Sequence, residues 1–527
     1  MDNVKIQLKN NCGFKWHEAD GSFFKGYLLS EGKFISGPDA LIYLKRMLEH
    51  SSALKDKLIK LNGIFSFVIT KKDETLICAD RTRSFPLFYV QNGYELTLSD
   101  DPELLRTENS ELSPDAINVF LHTGYTTGSR TLYKDIFQIQ AGEFIKVCTS
   151  EFKKEFYHFY ESGTISNEIH ELEKELHGII NKIGDDLSES LKDKIPVIPL
   201  SSGFDSRLIA VLLKQRGFKN VITFTYGRKN NPELELSKKS AEKLNYEWRF
   251  IEYCNDSVKG FIASDDFKNY YPAASNFSSM FYLQEYFALE QLKKFIPENS
   301  VFIPGHSGDF FAGSHLNKNI ISSGSLNEII YEIKNKHYGN KIIYKVDNDA
   351  IENSIRNSLK KKESYNYLDF EHWDLKERQA KFILNSNRIY EHFGFEYRLP
   401  LMDYRLMDFF AKVSPDLKYG KKLYDKVLRE KFFQPEGLNF DNETNPSLRA
   451  MEMQERKNSL KKIIPKKIIN IYKEKRKKFN DIYFNIGVTD QMIEDILSSG
   501  GKIDNTGENR NSIIIQWYIH QIMNKKI

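Results

Sequence analysis

The feature that most constrains the fold is the stretch Val197-Ile-Pro-Leu-Ser-Ser-Gly-Phe-Asp-Ser-Arg207, which predicts a buried strand, a tight turn and then a helix. The apolar run 195–200 is short and contains two prolines, so it is typical of a strand in a parallel sheet. In the turn, Ser201, Ser202 and Gly203 are small enough for a phosphate chain to approach the backbone N–H groups and the positive end of the following helix. The stretch therefore predicts a nucleotide site.

A carboxylate, that of Asp205, follows this turn directly. A carboxylate beside a phosphate cradle repels the anion unless a divalent cation lies between them, so magnesium is the predicted metal. An ordinary connection from a strand through a turn to a helix has the same local pattern, and at this point both interpretations stay open.

Length and charge limit the classes of protein to consider. A chain of 527 residues is too long for one ordinary core and predicts about two to four domains. Its 76 basic and 72 acidic residues leave a net charge of +4, which is too balanced to predict a nucleic-acid partner. The sequence shows neither a signal peptide nor an apolar run long enough to cross a membrane, so a cytoplasmic protein is expected.

The cysteines are few and far apart. The chain has Cys12, Cys78, Cys148 and Cys254, without any Cys-x-x-Cys pair. This spacing favours neither a disulfide framework nor a zinc site, and the thiols are expected to be reduced.

The first 160 residues predict an antiparallel β domain with helices, one of them at 39–49. The alternating, aromatic-rich segments that predict its strands are 21–29, 63–70, 74–78, 87–90 and 94–98. Later segments of this region are more specific, and they are Leu61-Asn-Gly-Ile-Phe-Ser-Phe-Val68, Ala79-Asp-Arg-Thr-Arg-Ser-Phe-Pro-Leu-Phe-Tyr89, Gly124-Tyr-Thr-Thr-Gly-Ser-Arg-Thr-Leu-Tyr-Lys-Asp-Ile136 and Ala141-Gly-Glu-Phe144.

These later segments resemble the glutamine amidotransferase domain of asparagine synthetases. The resemblance implies an N-terminal-nucleophile fold, in which family members hydrolyse glutamine with a cysteine directly after the initiator methionine. This chain has Asp2 there, so the glutaminase nucleophile is missing. Cys12 would become N-terminal only if eleven residues were removed, and the span from Phe14 to Leu61 is shorter than the family uses for its glutamine pocket. We interpret Cys12 as a small half-buried residue and the domain as a retained scaffold.

The second half alternates strands and helices. A polar connector at 160–167 places the domain boundary near 160, which divides the chain into 1–160 and 161–527, and an amphipathic helix is predicted at 168–191. Strands at 221–227, 247–253 and 301–305 and a helix at 232–244 follow. This alternation predicts an α/β parallel sheet with its ligand at the carboxyl ends of the strands.

Five segments of this half, taken in order, resemble the C-terminal domain of asparagine synthetases. They are Ser201-x-Gly-x-Asp-Ser206, Thr223-Phe-Thr-Tyr-Gly227, the helical segment 232–244, Gly305-His-Ser-Gly-Asp309 and Glu396-Tyr-Arg-Leu-Pro-Leu-Met-Asp403. Together with the N-terminal matches, the resemblance spans roughly residues 60 to 430. It implies an α+β N-terminal-nucleophile-like sandwich domain followed by an α/β parallel-sheet ATP pyrophosphatase (PP-loop) domain.

The resemblance also implies a chemistry. In the family, a carboxylate attacks the α-phosphate of ATP to give an acyl-adenylate and pyrophosphate, and an amine then displaces AMP, with ATP and Mg²⁺ as cofactors. The residues implied to bind the nucleotide are Leu200, Ser201, Ser202, Gly203, Asp205, Ser206, Thr225 and Gly305. Asp205 and Asp309 are implied to bind the metal, although Asp309 also fits an ordinary helix N-cap. Glu233 matches an acidic residue of the family, or is an ordinary first-turn glutamate.

The expected catalytic residues depart from the family at one position. His306 stands where asparagine synthetases carry glutamate and the similar β-lactam synthetases carry tyrosine, so it is expected to move a proton on the incoming amine, unless it only bonds within its loop. Glu396 and Arg398 match residues that lie against the active site of relatives, with a structural ion pair as the alternative. The register of the expected catalytic lysine is open between Lys422 and Lys426, which lie one helical turn apart.

Three hypotheses follow. The first is an amidotransferase-type synthetase that uses a small-molecule carboxylate with ammonia, which a separate glutaminase could supply. The second is a ligase that joins a carboxylate to its own or another amine, as β-lactam synthetases and lasso-peptide cyclases do. The third is a non-enzymatic scaffold of the same fold. The basic, isoleucine-rich segment 456–478 is expected to be a solvated helical face rather than a membrane-surface site, and the sequence is compatible with a homodimer.

Overall fold

The computed structural model describes residues 3–49, 53–231, 233–340, 347–440, 490–499, 503 and 510–524. Its strands, in chain order, are β1 (Val4–Gln7), β2 (His17–Ala19), β3 (Ser22–Ser30), β4 (Lys33–Ser36), β5 (Asn62–Thr70), β6 (Glu74–Ala79), β7 (Phe88–Asn92), β8 (Glu95–Ser99), β9 (Phe137–Gln138), β10 (Glu143–Cys148), β11 (Phe152–Phe156), β12 (Ile195–Pro199), β13 (Ile222–Gly227), β14 (Glu247–Glu252), β15 (Ser300–Phe302) and β16 (Glu396–Tyr397).

Helices surround these strands. The α-helices are Gly37–Met47, Leu54–Leu58, Pro114–Thr123, Ile169–Glu189, Phe204–Gln215, Glu233–Leu244, Asn255–Val258, Asp265–Ser275, Tyr286–Leu292, Gly308–Phe311, Lys318–Ser322, Leu326–His337, Asn348–Ser358, Tyr367–Asp374, Arg388–His392, Tyr404–Lys412, Pro415–Lys418, Lys422–Leu428, Asp490–Ser498 and Arg510–Asn524. Short 3₁₀ segments are Pro102–Leu105, Phe261–Ala263, Leu384–Asn387, Pro400–Met402 and Tyr419–Lys421, and π-helical segments are Leu375–Ile383 and Arg429–Phe433.

The N-terminal domain is a sandwich of two sheets. One sheet has the order β11-β10-β6-β5-β3-β2, with β4 paired to β3, and the other has the order β1-β8-β7-β9. Side chains alternate along β5: Phe65 and Phe67 pack towards the helix Gly37–Met47, whereas Val68 packs between the two sheets. This alternation lets one strand contribute to both cores.

The C-terminal domain is built on a five-stranded, all-parallel sheet of order β14-β13-β12-β15-β16. The chain proceeds from β12 through β13 to β14 on one side and then returns to add β15 on the other side of β12. The strand order therefore reverses at β12 and β15, and the crevice at the carboxyl ends of these two strands is where ligands bind in open α/β sheets.

The two domains share a continuous apolar core. Phe14 of the N-terminal domain packs edge-on against Tyr397 of the C-terminal domain, with ring centroids 5.1 Å apart. Lys25 on β3 donates a hydrogen bond of 3.0 Å to Glu391, and both side chains are almost fully buried. The N-terminal domain thus supports the helix Arg388–His392, which contributes to the site described below.

The structure confirms the main predictions for the fold. The predicted strands of both domains and the helices near 39–49, 168–191 and 232–244 are present, with shifts of a few residues at their ends. The N-terminal domain differs from a purely antiparallel one, because β1 pairs with β8 in the parallel direction. No helix within the described ranges is long and apolar enough to cross a membrane. The basic segment 456–478 lies outside the described residues.

Candidate active site

The turn after β12 is braced by the hydroxyl groups that the sequence supplies. The backbone N–H of Ser201 donates to the Ser206 hydroxyl at 3.2 Å, and the N–H of Gly203 donates to the Ser201 hydroxyl at 3.1 Å. Gly203 is the N-cap of the helix Phe204–Gln215. Because glycine has no side chain, the first N–H groups of this helix lack a side-chain cap. The positive end of the helix therefore faces the crevice at the switch point.

The loop after β15 lies directly against this helix start. A Cβ atom on Gly305 would stand 2.7 Å from the backbone nitrogen of Ser206, which is closer than real Cβ atoms approach. Glycine at 305 is therefore required for the two loops to meet. Ser307 follows with a left-handed backbone (φ 68°) and donates to Gln379 at 2.8 Å, which holds the loop in place.

Two carboxylates meet where these loops touch. The N–H of Asp309 donates to a carboxylate oxygen of Asp205 at 3.0 Å, and the Tyr424 hydroxyl donates to the other oxygen at 2.9 Å. Burial, followed by the neighbouring charge of Asp309, raises the pKa of Asp205 to about 7, against a lowering effect from Lys421. Two carboxylates that repel each other in this way are stabilised when a cation binds beside them.

The cavity at this point has a volume of about 350 Å³. It brings together seven residues that the sequence predicted, namely Ser201, Gly203, Asp205, Ser206, Gly305, His306 and Asp309. Lys421 also lines it, together with an aromatic and acidic wall formed by Tyr226, Tyr282, Glu285 and Tyr390. Within the described part of the chain, no group of three or more histidine, cysteine or acidic side chains is arranged to hold a metal ion.

His306 is half-buried on the cavity wall. Its Nε2 lies 3.5 Å from the Ser386 hydroxyl. The loss of hydration on this wall lowers the pKa of His306 to about 4, against smaller raising effects from a hydrogen bond with Asn387 and the charge of Asp309. The imidazole is therefore neutral near pH 7 and has the protonation state of a base.

The structure places Lys421, rather than Lys422 or Lys426, in the cavity. Lys421 begins the helix Lys422–Leu428 with a left-handed backbone (φ 57°) after Gly420, and this break turns its side chain towards the cavity. Lys422 is exposed, and Lys426 pairs with Glu173 at the surface. In the sequence, Gly420 directly before Lys421 indicates a turn rather than a continuous helix, and this turn determines the direction of the Lys421 side chain.

Other predicted residues lie near the cavity without lining it. Leu200 and Thr225 are buried in the sheet, where the Thr225 hydroxyl donates to the Leu200 carbonyl at 2.7 Å. The Ser202 carbonyl accepts a hydrogen bond of 2.9 Å from Arg207. These hydrogen bonds hold the turn in shape, and nucleotide binding by the three residues stays a prediction.

Glu396 and Arg398 form an ion pair with a 2.9 Å contact at the domain interface. The Arg398 guanidinium lies over the rings of Tyr27 and Phe34, which belong to the N-terminal domain. Among the described residues these two do not line the cavity, and their contacts are those of a structural pair. Glu233 starts the helix Glu233–Leu244 beside the sheet, where burial raises the pKa of its carboxyl group.

The chain carries an N-terminal-nucleophile-like sandwich followed by a parallel sheet with a helix start and a carboxylate pair at its switch point, which is the architecture of the PP-loop ATP pyrophosphatase class. Residues 191–435 match the family model of asparagine synthase, and residues 25–158 match that of a glutamine amidotransferase domain. The chain belongs to the asparagine synthetase family, whose C-terminal domains are ATP-dependent amide ligases.

Comparisons with individual proteins are more distant. No curated protein matches the chain significantly. The glutamine phosphoribosylpyrophosphate amidotransferase from B. subtilis, complexed with ADP and GMP, is 12% identical over 45% of this chain and 72% of that chain, with a TM-score of 0.19. The NH3-dependent NAD synthetase from Campylobacter jejuni is 16% identical over 37% of this chain and 94% of that chain, with a TM-score of 0.21. TM-scores this low carry no argument about the family or function of this chain.

Proposed function

We propose that this protein activates a small-molecule carboxylate with ATP as an acyl-adenylate, releases pyrophosphate, and transfers the acyl group to ammonia or an amine. The observation that carries the proposal is the carboxylate pair of Asp205 and Asp309, which adjoins a helix start suited to phosphates. A scaffold without activity has no need for this costly pair of neighbouring acidic groups.

The phosphates are held by the turn after β12. The backbone at Gly203 and the hydroxyls of Ser201 and Ser206 face the cavity and fit the non-bridging oxygens of a triphosphate. Asp205 and Asp309 fit Mg²⁺, which is commonly bound through one or two carboxylates together with substrate phosphates. When bound there, the metal neutralises charge on the departing pyrophosphate.

The first step joins a carboxylate oxygen to the α-phosphorus and breaks the bond from that phosphorus to pyrophosphate. Lys421 lies close enough to Asp205 to lower the pKa of that carboxyl group, and its cation stabilises the negative charge that develops near it. A lysine there acts as a point charge, so its position matters more than bidentate geometry.

The second step joins the amine nitrogen to the acyl carbon and breaks the bond from that carbon to AMP. The nitrogen must lose a proton as the new bond forms. His306 is neutral and lines the cavity, so it is our candidate to accept that proton. This scheme assigns no step to glutamine hydrolysis, and the ammonia or amine comes from solution or from another protein.

The experiment is calorimetric titration of ATP with MgCl₂ into wild type and the Asp205→Asn variant. We expect Asp205→Asn to weaken binding by about tenfold or more, because the metal loses a charged ligand. Asp265→Asn is the matched control, since Asp265 is an exposed first-turn aspartate of another helix. Equal ATP binding by Asp205→Asn and wild type would contradict the proposal, and absence of ATP binding by wild type would support the scaffold hypothesis.

A further inference from the structure

One wall of the cavity holds a carboxylate that the scheme above does not use. Glu285 is 5% exposed, lines the cavity, and immediately precedes the helix Tyr286–Leu292. The Tyr390 hydroxyl donates to one of its carboxylate oxygens at 2.9 Å. Tyr390 comes from the helix Arg388–His392, so two distant parts of the chain hold this carboxylate in place.

The carboxylate of Glu285 has no basic partner among the described residues. Burial raises its pKa to about 7, and the hydrogen bond from Tyr390 is the effect that opposes this shift. No lysine, arginine or histidine side chain of the described chain is among the groups that shift the pKa of Glu285. A buried carboxylate without a cation is costly, and a cation brought by a ligand would remove much of that cost.

The surroundings of Glu285 are aromatic. Tyr226 and Tyr282 line the same cavity, and their hydroxyl oxygens lie 3.3 Å apart. The ring of Tyr226 stacks on that of Tyr253, with centroids 5.5 Å apart, and Tyr253 in turn donates to the Gln284 carbonyl at 2.8 Å. Fixed tyrosine rings beside a carboxylate form the kind of wall that attracts an organic ammonium group.

The basic groups of the cavity lie elsewhere. Lys421 acts on Asp205, and no arginine of the described chain lines the cavity. A substrate with a second carboxylate, such as aspartate, would therefore lack a guanidinium partner here. The charges divide the cavity into an anion-binding part near the turn after β12 and an acidic, aromatic part at Glu285.

We propose that Glu285, together with Tyr226, Tyr282 and Tyr390, binds a primary ammonium group carried by a substrate of the ligase reaction. This inference rests on the proposed function. It limits the substrates of the reaction to a pair in which at least one member carries a primary amino group. The ammonium group belongs either to the attacking amine or to an amino-substituted carboxylate, and both sources present the same chemistry to Glu285.

The test is calorimetric titration of n-butylammonium chloride, with n-butanol as the uncharged probe, into the protein saturated with ATP and MgCl₂. We expect saturable binding of the cation and much weaker binding of the alcohol. Glu285→Gln keeps the shape of the side chain and removes its charge, so we expect it to weaken cation binding by about tenfold or more, with ATP binding unchanged. Glu290→Gln, on the same helix and not among the cavity-lining residues, is the control and should bind the cation as wild type does.

Equal binding of n-butylammonium by wild type and Glu285→Gln, or no binding by wild type, would overturn the inference. If ATP binds and the cation does not, the ligase proposal survives while the ammonium site fails. If the cation binds to a protein that does not bind ATP, the ligase proposal fails, and with it the identification of the cation as a ligase substrate, while ammonium binding at Glu285 itself is retained.

A second arm identifies the source of the ammonium group. Exchange of pyrophosphate into ATP is measured with β-alanine and with propionate, which differ by the amino group. Exchange that requires β-alanine and is lost in Glu285→Gln assigns the ammonium group to the carboxylate substrate. Exchange that accepts propionate equally in wild type and Glu285→Gln assigns the group to the attacking amine.

Discussion

The buried ion pair between Lys25 and Glu391 gives a sharp test of how the N-terminal domain supports the ligase domain. The two side chains are 2% and 3% exposed and meet at 3.0 Å across the domain interface. Lys25→Met would leave the Glu391 carboxylate buried without its cation. Breaking a buried pair by removing one partner typically costs about 3–5 kcal/mol, and we expect a loss of unfolding free energy in this range.

The assay is urea denaturation followed by tryptophan fluorescence, with a double-mutant cycle. Lys25→Met combined with Glu391→Leu removes both charges, so we expect the double variant to recover most of the stability lost by Lys25→Met. Lys239→Met is the control, because the side chains of Lys239 and Glu235 are 52% and 73% exposed and such pairs contribute less than about 1 kcal/mol. A loss of unfolding free energy for Lys25→Met as small as that of Lys239→Met would show that the buried pair does not stabilise the domain interface.

Three further predictions concern the chemistry. His306→Ala should leave ATP binding nearly intact yet slow amide formation by about a hundredfold to ten-thousandfold in rapid-quench experiments, and normal amide formation would return His306 to a role in its loop. The purified protein should release no glutamate from glutamine in a coupled assay. Cys12 is exposed in the structure rather than half-buried, and the removal of residues 1–11 that would make it N-terminal would also delete β1; glutaminase activity abolished by Cys12→Ala would overturn this prediction. Gly305→Ala should weaken ATP binding by about tenfold or more in calorimetry, because the added Cβ would stand 2.7 Å from the Ser206 nitrogen and push the two loops apart, and wild-type affinity would contradict the close packing.

The nucleotide turn could be predicted from the sequence because its determinants are local. A short apolar strand, small residues at 201–203 and a helix after them fix both the geometry and the direction of the N–H groups. The close approach at Gly305 follows the same logic, since the next strand to end at the switch point supplies the facing loop. The parallel sheet was equally accessible, because alternating strands and helices leave few other arrangements.

The acidic wall could not be predicted in this way. Glu285 and Tyr390 are far apart in the chain, and neither belongs to a local motif of the sequence. Only tertiary packing brings them together. Lys421 was missed for a different reason, because a one-residue change in where a helix begins decides which lysine faces the cavity.

Arg398 lies at the domain interface and does not line the cavity, a distinction that its sequence motif does not contain. Its pairing with Glu396 fits either role, and what distinguishes them is the position of Tyr27 and Phe34 from the N-terminal domain under the guanidinium. Contacts between domains depend on surfaces that a pattern within one segment does not encode.

The proposed reaction in the cavity is activation of a carboxylate by adenylation. Its most direct test is ³¹P NMR of ATP turnover by wild type with MgCl₂ and a panel of carboxylates and amines, with Asp205→Asn in parallel. We expect AMP and pyrophosphate in equal amounts from wild type and loss of both signals from Asp205→Asn. Formation of ADP and phosphate by wild type, or undiminished AMP formation by Asp205→Asn, would contradict it.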